Sequence, residues 1–600
     1  MNEATPYRVL VDCGSTTTKV VLVGDHDGRF GVLGRAEAAT TVEAPHDDVT
    51  VGLRAALTSL AEETGAPLLT APDREGDRHL DPHQAELLAT SSAAGGLRMA
   101  VVGLVRAMTA ASGERAALGA GALVSDVLAY SDPEPAARQI QRLRRGEPDA
   151  VLLCGGTDGG ATEQVVVLAE RIAKAELRSR HAAAEPVPVV YAGNAAALAA
   201  VTAALGAVPL AAPNVRAVLE HEDLGPARER IHDVFLHHVM SRAPGYPALQ
   251  ALCAAPVEPT PAAFAHALEL LVEADAGEVL AVDIGGATTD VYSAGGAGVV
   301  RSVAANLGLS FSIGHVCHAA GWDRVERWLT VAMGEQDLRN LVRNKMVRPT
   351  TLPETEAELQ VEQAVVREAL RLALAQHVVV RSDLRGVRPD GPAALRLGRT
   401  TPAEGIDWRR VTMVVGSGGP LAHAPQRWQA AAMLVDGLRP RGITALTVDA
   451  SFLLPHVGVL SRRHRDAARQ VLFHDCLRPL GTVVAPLRSE RVAVGAPLLR
   501  WELRPSDAGE TRTGVLRRGE LQRLPLYAGA SAALHLEPAK GVDLGAGRGV
   551  PLQALVGGGP AGVLLDGREE DLERHGRGVP WQTLLQRWRA EMEPGPGEES

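Results

Sequence analysis

Val11–Val20 reads VDCGSTTTKV, and Val282–Val291 reads VDIGGATTDV. Aligned without a gap, the two decapeptides share Val, Asp, Gly, Thr, Thr and Val at equivalent positions. Apolar residues precede each of them, RVL in the first and EVLA in the second, and a second apolar stretch follows, VLV and VYS. Each copy therefore predicts a strand, a tight turn and a second strand. An internal repeat of this kind outweighs any single motif, because one glycine-containing hairpin is common and a matched pair is not.

The turn chemistry suits a phosphate chain. Gly14 lets the backbone approach closely, and the N–H and hydroxyl groups of Ser15, Thr16 and Thr17 can surround anionic oxygens. Asp12 ends the first strand, where a carboxylate can hold a hydrated magnesium ion, and Lys19 adds a positive charge near the outer phosphates. The second hairpin, Asp283, Gly285, Gly286, Ala287, Thr288 and Thr289, repeats the cradle but places Asp290 where the first has Lys19. A third loop, Gly416, Ser417, Gly418 and Gly419, joins a strand-like VTMVV to a helix-like segment, and can pass under an adenine and ribose or receive a phosphate. Asp12 and Asp283 are the candidate metal ligands, and ATP with Mg2+ the candidate ligands of the whole.

The rest of the chain bounds the function. At 600 residues several domains are expected. With 46% apolar and 22% charged residues, the composition is that of a globular protein. The net charge of −10 and the dispersed basic residues give no footing for nucleic acid. Only four lysines occur, Lys19, Lys174, Lys345 and Lys540, which singles out the one in the first hairpin. The N-terminus has neither the basic start nor the apolar core of a signal peptide, and Ala195–Ala212, interrupted by Gly206 and Pro209, reads as a buried helix, not a membrane span. The expectation is a cytoplasmic protein. Five cysteines without a Cys-x-x-Cys pair argue against a zinc ribbon, an iron–sulfur cluster or a disulfide framework, and Cys317 between His315 and His318 would need distant ligands to hold a metal.

AELLATSS, DAVLLCGG and VPVVYAGN alternate with alanine-rich helical segments, which predicts βα units and a largely parallel sheet in the first half. Ala262–Ala274 is an amphipathic helix feeding the second hairpin. From about Val492 the texture changes to short alternating runs punctuated by glycine, and WQTLLQRWRAEME predicts a short helix before a polar tail. The predicted fold class is α/β, two lobes with a C-terminal β-rich module: 1–275, 276–491, 492–575, and a helix and tail at 576–600.

The order of hairpin, second hairpin and Gly-Ser-Gly-Gly loop resembles the phosphate-1, phosphate-2 and adenosine motifs of the actin, Hsp70 and sugar-kinase superfamily, and LPHVGVL at Leu454–Leu460 resembles its connect-2 helix. More specifically, the chain is similar to the MutL/GlmL family of accessory proteins of adenosylcobalamin-dependent glutamate mutase and related aminomutases. SSAAGGLRM (Ser91–Met99), GGTDGG (Gly155–Gly160), YAGN (Tyr191–Asn194) and NLGLSFS (Asn306–Ser312) all look like family segments, so the resemblance spans most of the chain. It implies the duplicated actin-like ATPase fold and a role in reactivating a mutase. The chain departs from the family pattern before Leu307-Gly308, where Ala304, Ala305 and Asn306 replace an expected acidic, glycine-containing stretch. If that acid positions water or metal, hydrolysis here is slowed or lost.

Asp158 in GGTDGG is a candidate for orienting water or magnesium, although an aspartate flanked by glycines also serves as a turn residue bonding its own backbone. His456 reads as a packed or capping histidine. The adjacent histidines of FLHHV at Phe235–Val239 point to different sides of a helix, against a metal site. The resulting reading is a Mg-ATP-dependent, chaperone-like ATPase whose lobes close over nucleotide to remodel mutase subunits. A small-molecule kinase in the same cleft and a non-catalytic nucleotide-binding scaffold are the alternatives.

Overall fold

Two valine-rich runs flanking Gly14 pair as an antiparallel hairpin, β1 (Tyr7–Cys13) and β2 (Thr17–His26), with Val11 opposite Val20 and Asp12 opposite Lys19. β3 (Arg29–Ala39) continues the meander, and β4 (Ala85–Ser91) returns parallel to β1. The chain then leaves this sheet. β5 (Arg98–Gly103), β6 (Leu123–Ala129), β7 (Ala150–Leu153), β8 (Val189–Tyr191) and β9 (Leu210–Ala211) form a separate, all-parallel sheet in the order β6-β5-β7-β8-β9. Only afterwards does β10 (Glu258–Pro259) add to the first sheet beside β4, completing the order β10-β4-β1-β2-β3. The single parallel sheet expected for the first half is thus two sheets. Their strands look alike in sequence because both kinds are short apolar runs, and partner choice is decided by packing remote from each run.

The computed structural model describes residues 6–14, 17–26, 28–42, 45–72, 78–92, 97–120, 122–178, 185–219, 221–240, 244–296, 298–310, 312–349, 351–381, 406–487, 489, 492–507, 509–568 and 581–595.

The second lobe starts with the other hairpin, β11 (Glu278–Ile284) and β12 (Thr288–Gly295), in which Val282 faces Val291 and Asp283 faces Asp290. β13 (Gly298–Ala305), β14 (Val411–Ser417) and β15 (Gly442–Asp449) give the order β13-β12-β11-β14-β15, the same pattern as in the first lobe: a three-strand meander with two further strands parallel to its first. The protein is a duplicated α/β structure, the two-lobed arrangement that the sequence predicts. β16 (Leu477–Ala485) pairs antiparallel with β15.

Beyond β16 the glycine-punctuated stretch forms β17 (Pro497–Pro505), β18 (Arg512–Arg517), β19 (Leu521–Leu524), β20 (Ser531–Pro538), β21 (Leu552–Gly557) and β22 (Val563–Asp566). Four of them make a sheet ordered β18-β17-β20-β21. The other two join the second lobe: β22 lies parallel to β16, and β19 pairs with β22, so that sheet has eight strands. Arg568 clamps this junction, bonding Asp566 at 2.8 Å and Asp436, on the helix Arg427–Leu438, at 2.9 Å. The terminal helix Trp581–Met592 docks through Trp581, whose ring meets Trp328 and Trp588 edge-on at 6.3 and 5.7 Å. Among the described residues no helix is long and apolar enough to cross a membrane.

Two helices cross between the lobes. Thr260–Leu271 precedes the second hairpin, and Leu454–Ser461 follows β15. Their side chains, including Phe264, Leu268, Leu454 and Val457, share one core with Leu10 and Leu88 of the first sheet and Ala281 and Tyr292 of the second. At the crossing, a Cβ on Gly458 would lie 1.6 Å from the carbonyl oxygen of Ala263, so only glycine admits this approach. The helix Arg465–Val471 then reaches across to the edge strand β3, where Gln470 Oε1 accepts from the backbone N–H of Phe30 at 2.7 Å.

Candidate nucleotide cleft

The first hairpin is braced from beneath. Gly14 N–H donates to Thr17 O at 3.0 Å, closing the turn, and Thr40 Oγ1 donates to Gly14 O at 2.8 Å. Ser15 and Thr16 lie outside the described residues. Asp12, at the end of β1, accepts from Thr260 Oγ1 at 2.8 Å, so the first residue of a crossing helix sets the direction of this carboxylate. Lys19 does not bond Asp12, its strand neighbour. Its Nζ lies 4.2 Å from the centroid of the Phe452 ring, a contact from the first lobe to the second.

The second hairpin closes in the same way, with Gly285 N–H donating to Thr288 O at 2.9 Å. Gly285, Gly286 and Ala287 are exposed at the tip. The NLGLS segment lies across them: Leu309 N–H bonds Gly285 O at 3.0 Å, Ser310 N–H bonds Gly286 O at 2.8 Å, and Thr289 Oγ1 donates to Leu307 O at 2.6 Å. Asn306, where an acidic stretch was expected, takes φ 63°, a left-handed turn that asparagine tolerates. Asp290 is the ion-pair partner of Arg301 at 2.7 Å. The residue opposite Lys19 in the repeat therefore points its charge into a pair within its own lobe.

Asp283 is the most perturbed acid of the cleft. Burial, followed by the nearby carboxylates of Asp290 and Asp449, pushes it up to about 7 against the pull of the Ser417 hydroxyl and the Lys19 ammonium. Ser417 ends β14 directly opposite Asp283 in register. Gly416 precedes it in the strand; Gly418 has φ 105° and would place a Cβ 2.2 Å from Ile284 O, and Gly419 opens the short helix Gly419–Ala422. The third loop is thereby pressed against the end of β11.

Asp449 was not anticipated. It ends β15 and its carboxylate accepts from the N–H groups of Ser451, Leu453 and Leu454 at 3.2, 3.0 and 2.9 Å. This turn holds Phe452 at φ 55° and sets its ring between Lys19 and His423, the latter 5.3 Å away at the end of the third-loop helix. TALTVDASF has the same strand-terminal aspartate as the two hairpins, and that was the available signal. His456 follows one turn later, buried, with Nδ1 3.1 Å from Phe452 O.

Asp12, Lys19, Asp283, Ser417, Asp449, Phe452 and His456 therefore converge where the two lobes meet. Asp158 does not join them. It sits in the loop after β7 of the inserted parallel sheet, and its Oδ1 accepts from Ala195 N–H at 3.0 Å and Asn214 Nδ2 at 2.9 Å, tying three loops of that sheet together. Among the described residues no group of three or more His, Cys, Asp or Glu side chains is placed to hold a metal ion by itself.

A family model described as MutL protein matches residues 8–476, from the start of β1 to the start of β16. The chain belongs to the MutL family. It is 30% identical over 439 residues to Protein MutL of Clostridium tetanomorphum, covering 69% of this chain and 86% of that one. Among solved structures it is similar to xylulose kinase from Bifidobacterium adolescentis, with 14% identity, a TM-score of 0.29, and 80% and 96% of the two chains covered. Component A of (R)-2-hydroxyglutaryl-CoA dehydratase from Acidaminococcus fermentans aligns at 10% identity with a TM-score of 0.24, covering 78% and 98%. The match to the family model ends before the β17–β22 region, so the sheet β18-β17-β20-β21 lies outside the matched span.

Proposed function

We propose that this MutL-family protein binds Mg-ATP between the two hairpins and couples its hydrolysis to opening and closing of the lobes, as an accessory protein that reactivates or assembles an adenosylcobalamin-dependent mutase of the glutamate mutase type. The observation that carries the reading is the meeting of Asp12 and Lys19 from one lobe with Asp283 and Ser417 from the other, across two helices that cross between the sheets.

The residues fit the ligand. Magnesium is typically bound through one or two carboxylates with waters and phosphates completing its shell, so a three-ligand protein cluster is not required. Buried carboxylates crowd this site, and Asp290 Oδ1 is enclosed without a hydrogen-bond partner among the described residues. A divalent cation relieves that excess of negative charge and neutralises the phosphates. Asp12 and Asp283 would hold it, the hairpin N–H groups would receive phosphate oxygens, and Lys19 would exchange its ring contact for an anionic oxygen. Because these groups belong to different lobes, nucleotide favours the closed arrangement by the contacts made only there.

The test is phosphate release from Mg-ATP with and without a cobalamin-dependent mutase, beside Asp12→Ala and Lys19→Ala. Turnover that the mutase stimulates and that both substitutions lower by roughly 100-fold supports the reading. Nucleotide binding without turnover under any condition would leave a scaffold in its place.

A further inference from the structure

His456 is a cleft residue whose chemistry the preceding reading leaves unused. It is 1% exposed, on the helix wedged between the lobes. Its Nδ1 faces the carbonyl oxygen of Phe452 at 3.1 Å, and a carbonyl can only accept, so Nδ1 carries the proton and donates it. Nε2 is therefore a bare lone pair. That atom is enclosed and has no hydrogen-bond partner among the described residues.

The groups around the ring limit what can donate to it. The ring lies in the same cleft, because Phe452, whose carbonyl it bonds, also meets Lys19, and the charges acting on it are those of Asp12, Lys19 and Asp449. An ionised carboxylate accepts and cannot donate. Lys19 is turned to the Phe452 ring. Burial also keeps the imidazole below its ordinary range, in the neutral form that accepts, with Asp12 opposing that shift. No described residue donates to Nε2, which leaves this lone pair able to accept from a water molecule.

We propose that His456 Nε2 is the general base for the attacking water in ATP hydrolysis, an assignment that rests on the Mg-ATP reading above. The water oxygen forms a bond to the γ-phosphorus as the bond from that phosphorus to the β,γ-bridging oxygen breaks, and the electron pair leaves on ADP. The water proton passes to Nε2. The imidazolium so formed is offset by Asp449, and releases its proton to the departing phosphate or to solvent. Phe452 is a positioning residue here, because its carbonyl fixes the tautomer.

Two amide variants separate the nitrogens. His456→Asn keeps an N–H donor close to the position of Nδ1 and removes Nε2, whereas His456→Gln extends an acceptor toward the position of Nε2. Affinity for ADP and a non-hydrolysable ATP analogue, melting temperature and single-turnover phosphate release are measured for both and for the wild type. The expected result is an Asn variant that binds within about 2-fold of wild type and melts alike, yet turns over about 100-fold or more slower, with the Gln variant between the two. Independently of activity, the 15N spectrum of histidine-labelled wild-type protein should show this ring with Nδ1 protonated and Nε2 bare. Wild-type turnover by the Asn variant would overturn the assignment alone, and so would losses of binding and melting temperature that match the loss of turnover in both variants. Wild-type protein that binds no nucleotide would overturn the Mg-ATP reading and this assignment with it.

Discussion

Replacing Gly458 with alanine puts a methyl carbon 1.6 Å from the carbonyl oxygen of Ala263 and 2.4 Å from its carbonyl carbon. Both are backbone atoms, so no side-chain rotation relieves the clash. Restoring an ordinary C···O contact of about 3.3 Å requires the helices Thr260–Leu271 and Leu454–Ser461 to separate by about 1.7 Å. Overpacking of this kind costs about 1–3 kcal/mol, and the upper end applies where neither partner can rotate away. For a cooperative unit the size of one lobe, each kcal/mol lowers the melting temperature by about 2–4 °C, which gives a fall of roughly 6–12 °C. The separation also moves Thr260, with the Asp12 carboxylate it orients, away from His456. Phosphate release should therefore fall by more than the loss of folded protein explains. Calorimetry and turnover at a temperature where the variant is fully folded read the two effects apart. A melting temperature within about 1 °C of wild type with unchanged turnover would refute the reasoning, since it would mean that the helices do not touch at this point.

Asp283, held up to about 7 against an ordinary 3.8, takes up a proton in the folded protein that the unfolded chain does not bind between those values. Its contribution to stability is thus greatest below that range and is lost as pH rises through 7. Asp283→Asn should flatten the fall in melting temperature between pH 5 and 8 and melt above wild type at pH 8 without ligand; an unchanged slope would count against it. Phe452→Leu removes the ring face that Lys19 must leave to reach a phosphate, worth about 0.5–1 kcal/mol, and should tighten Mg-ATP binding by about 2- to 5-fold in calorimetric titration, whereas weaker binding would count against the exchange. Arg568→Ala leaves the buried carboxylates of Asp436 and Asp566 short of a partner and should cost about 3–5 kcal/mol in denaturant unfolding, whereas a loss under about 1 kcal/mol would show the junction to be dispensable.

Both hairpins were legible because their information is local: alternating apolar residues, a glycine at the turn, and an aspartate at the strand end, present twice. Asp449 carries the same local mark, but it has no hairpin, and its role comes from three N–H groups that a turn brings to it. Nothing near Phe452 in sequence indicates that its ring meets Lys19, because 433 positions and a lobe boundary separate them. Asp158 had the glycine-rich setting of a phosphate loop without the partner hairpin, and the structure uses it to tie loops together. The change of texture near Val492 was visible too. Less visible was that VLLD at Val563–Asp566, a continuous apolar run buried along its whole length, is the pattern of an interior strand and not of a free-standing module.

That strand has a consequence for how the protein is made. β16, with Val483 and Val484 fully buried, receives β22 along the side that β15 leaves open. A chain still on the ribosome, or one cut after β16, presents that side as a bare row of N–H and C=O groups on apolar residues, which is a template for a strand from another copy. The two lobes are complete in sequence by Ala485, yet the second sheet keeps an open edge until residue 566 has been synthesised and folded back. A protein shortened after β16 should therefore be lost to aggregation before it is lost to inactivity.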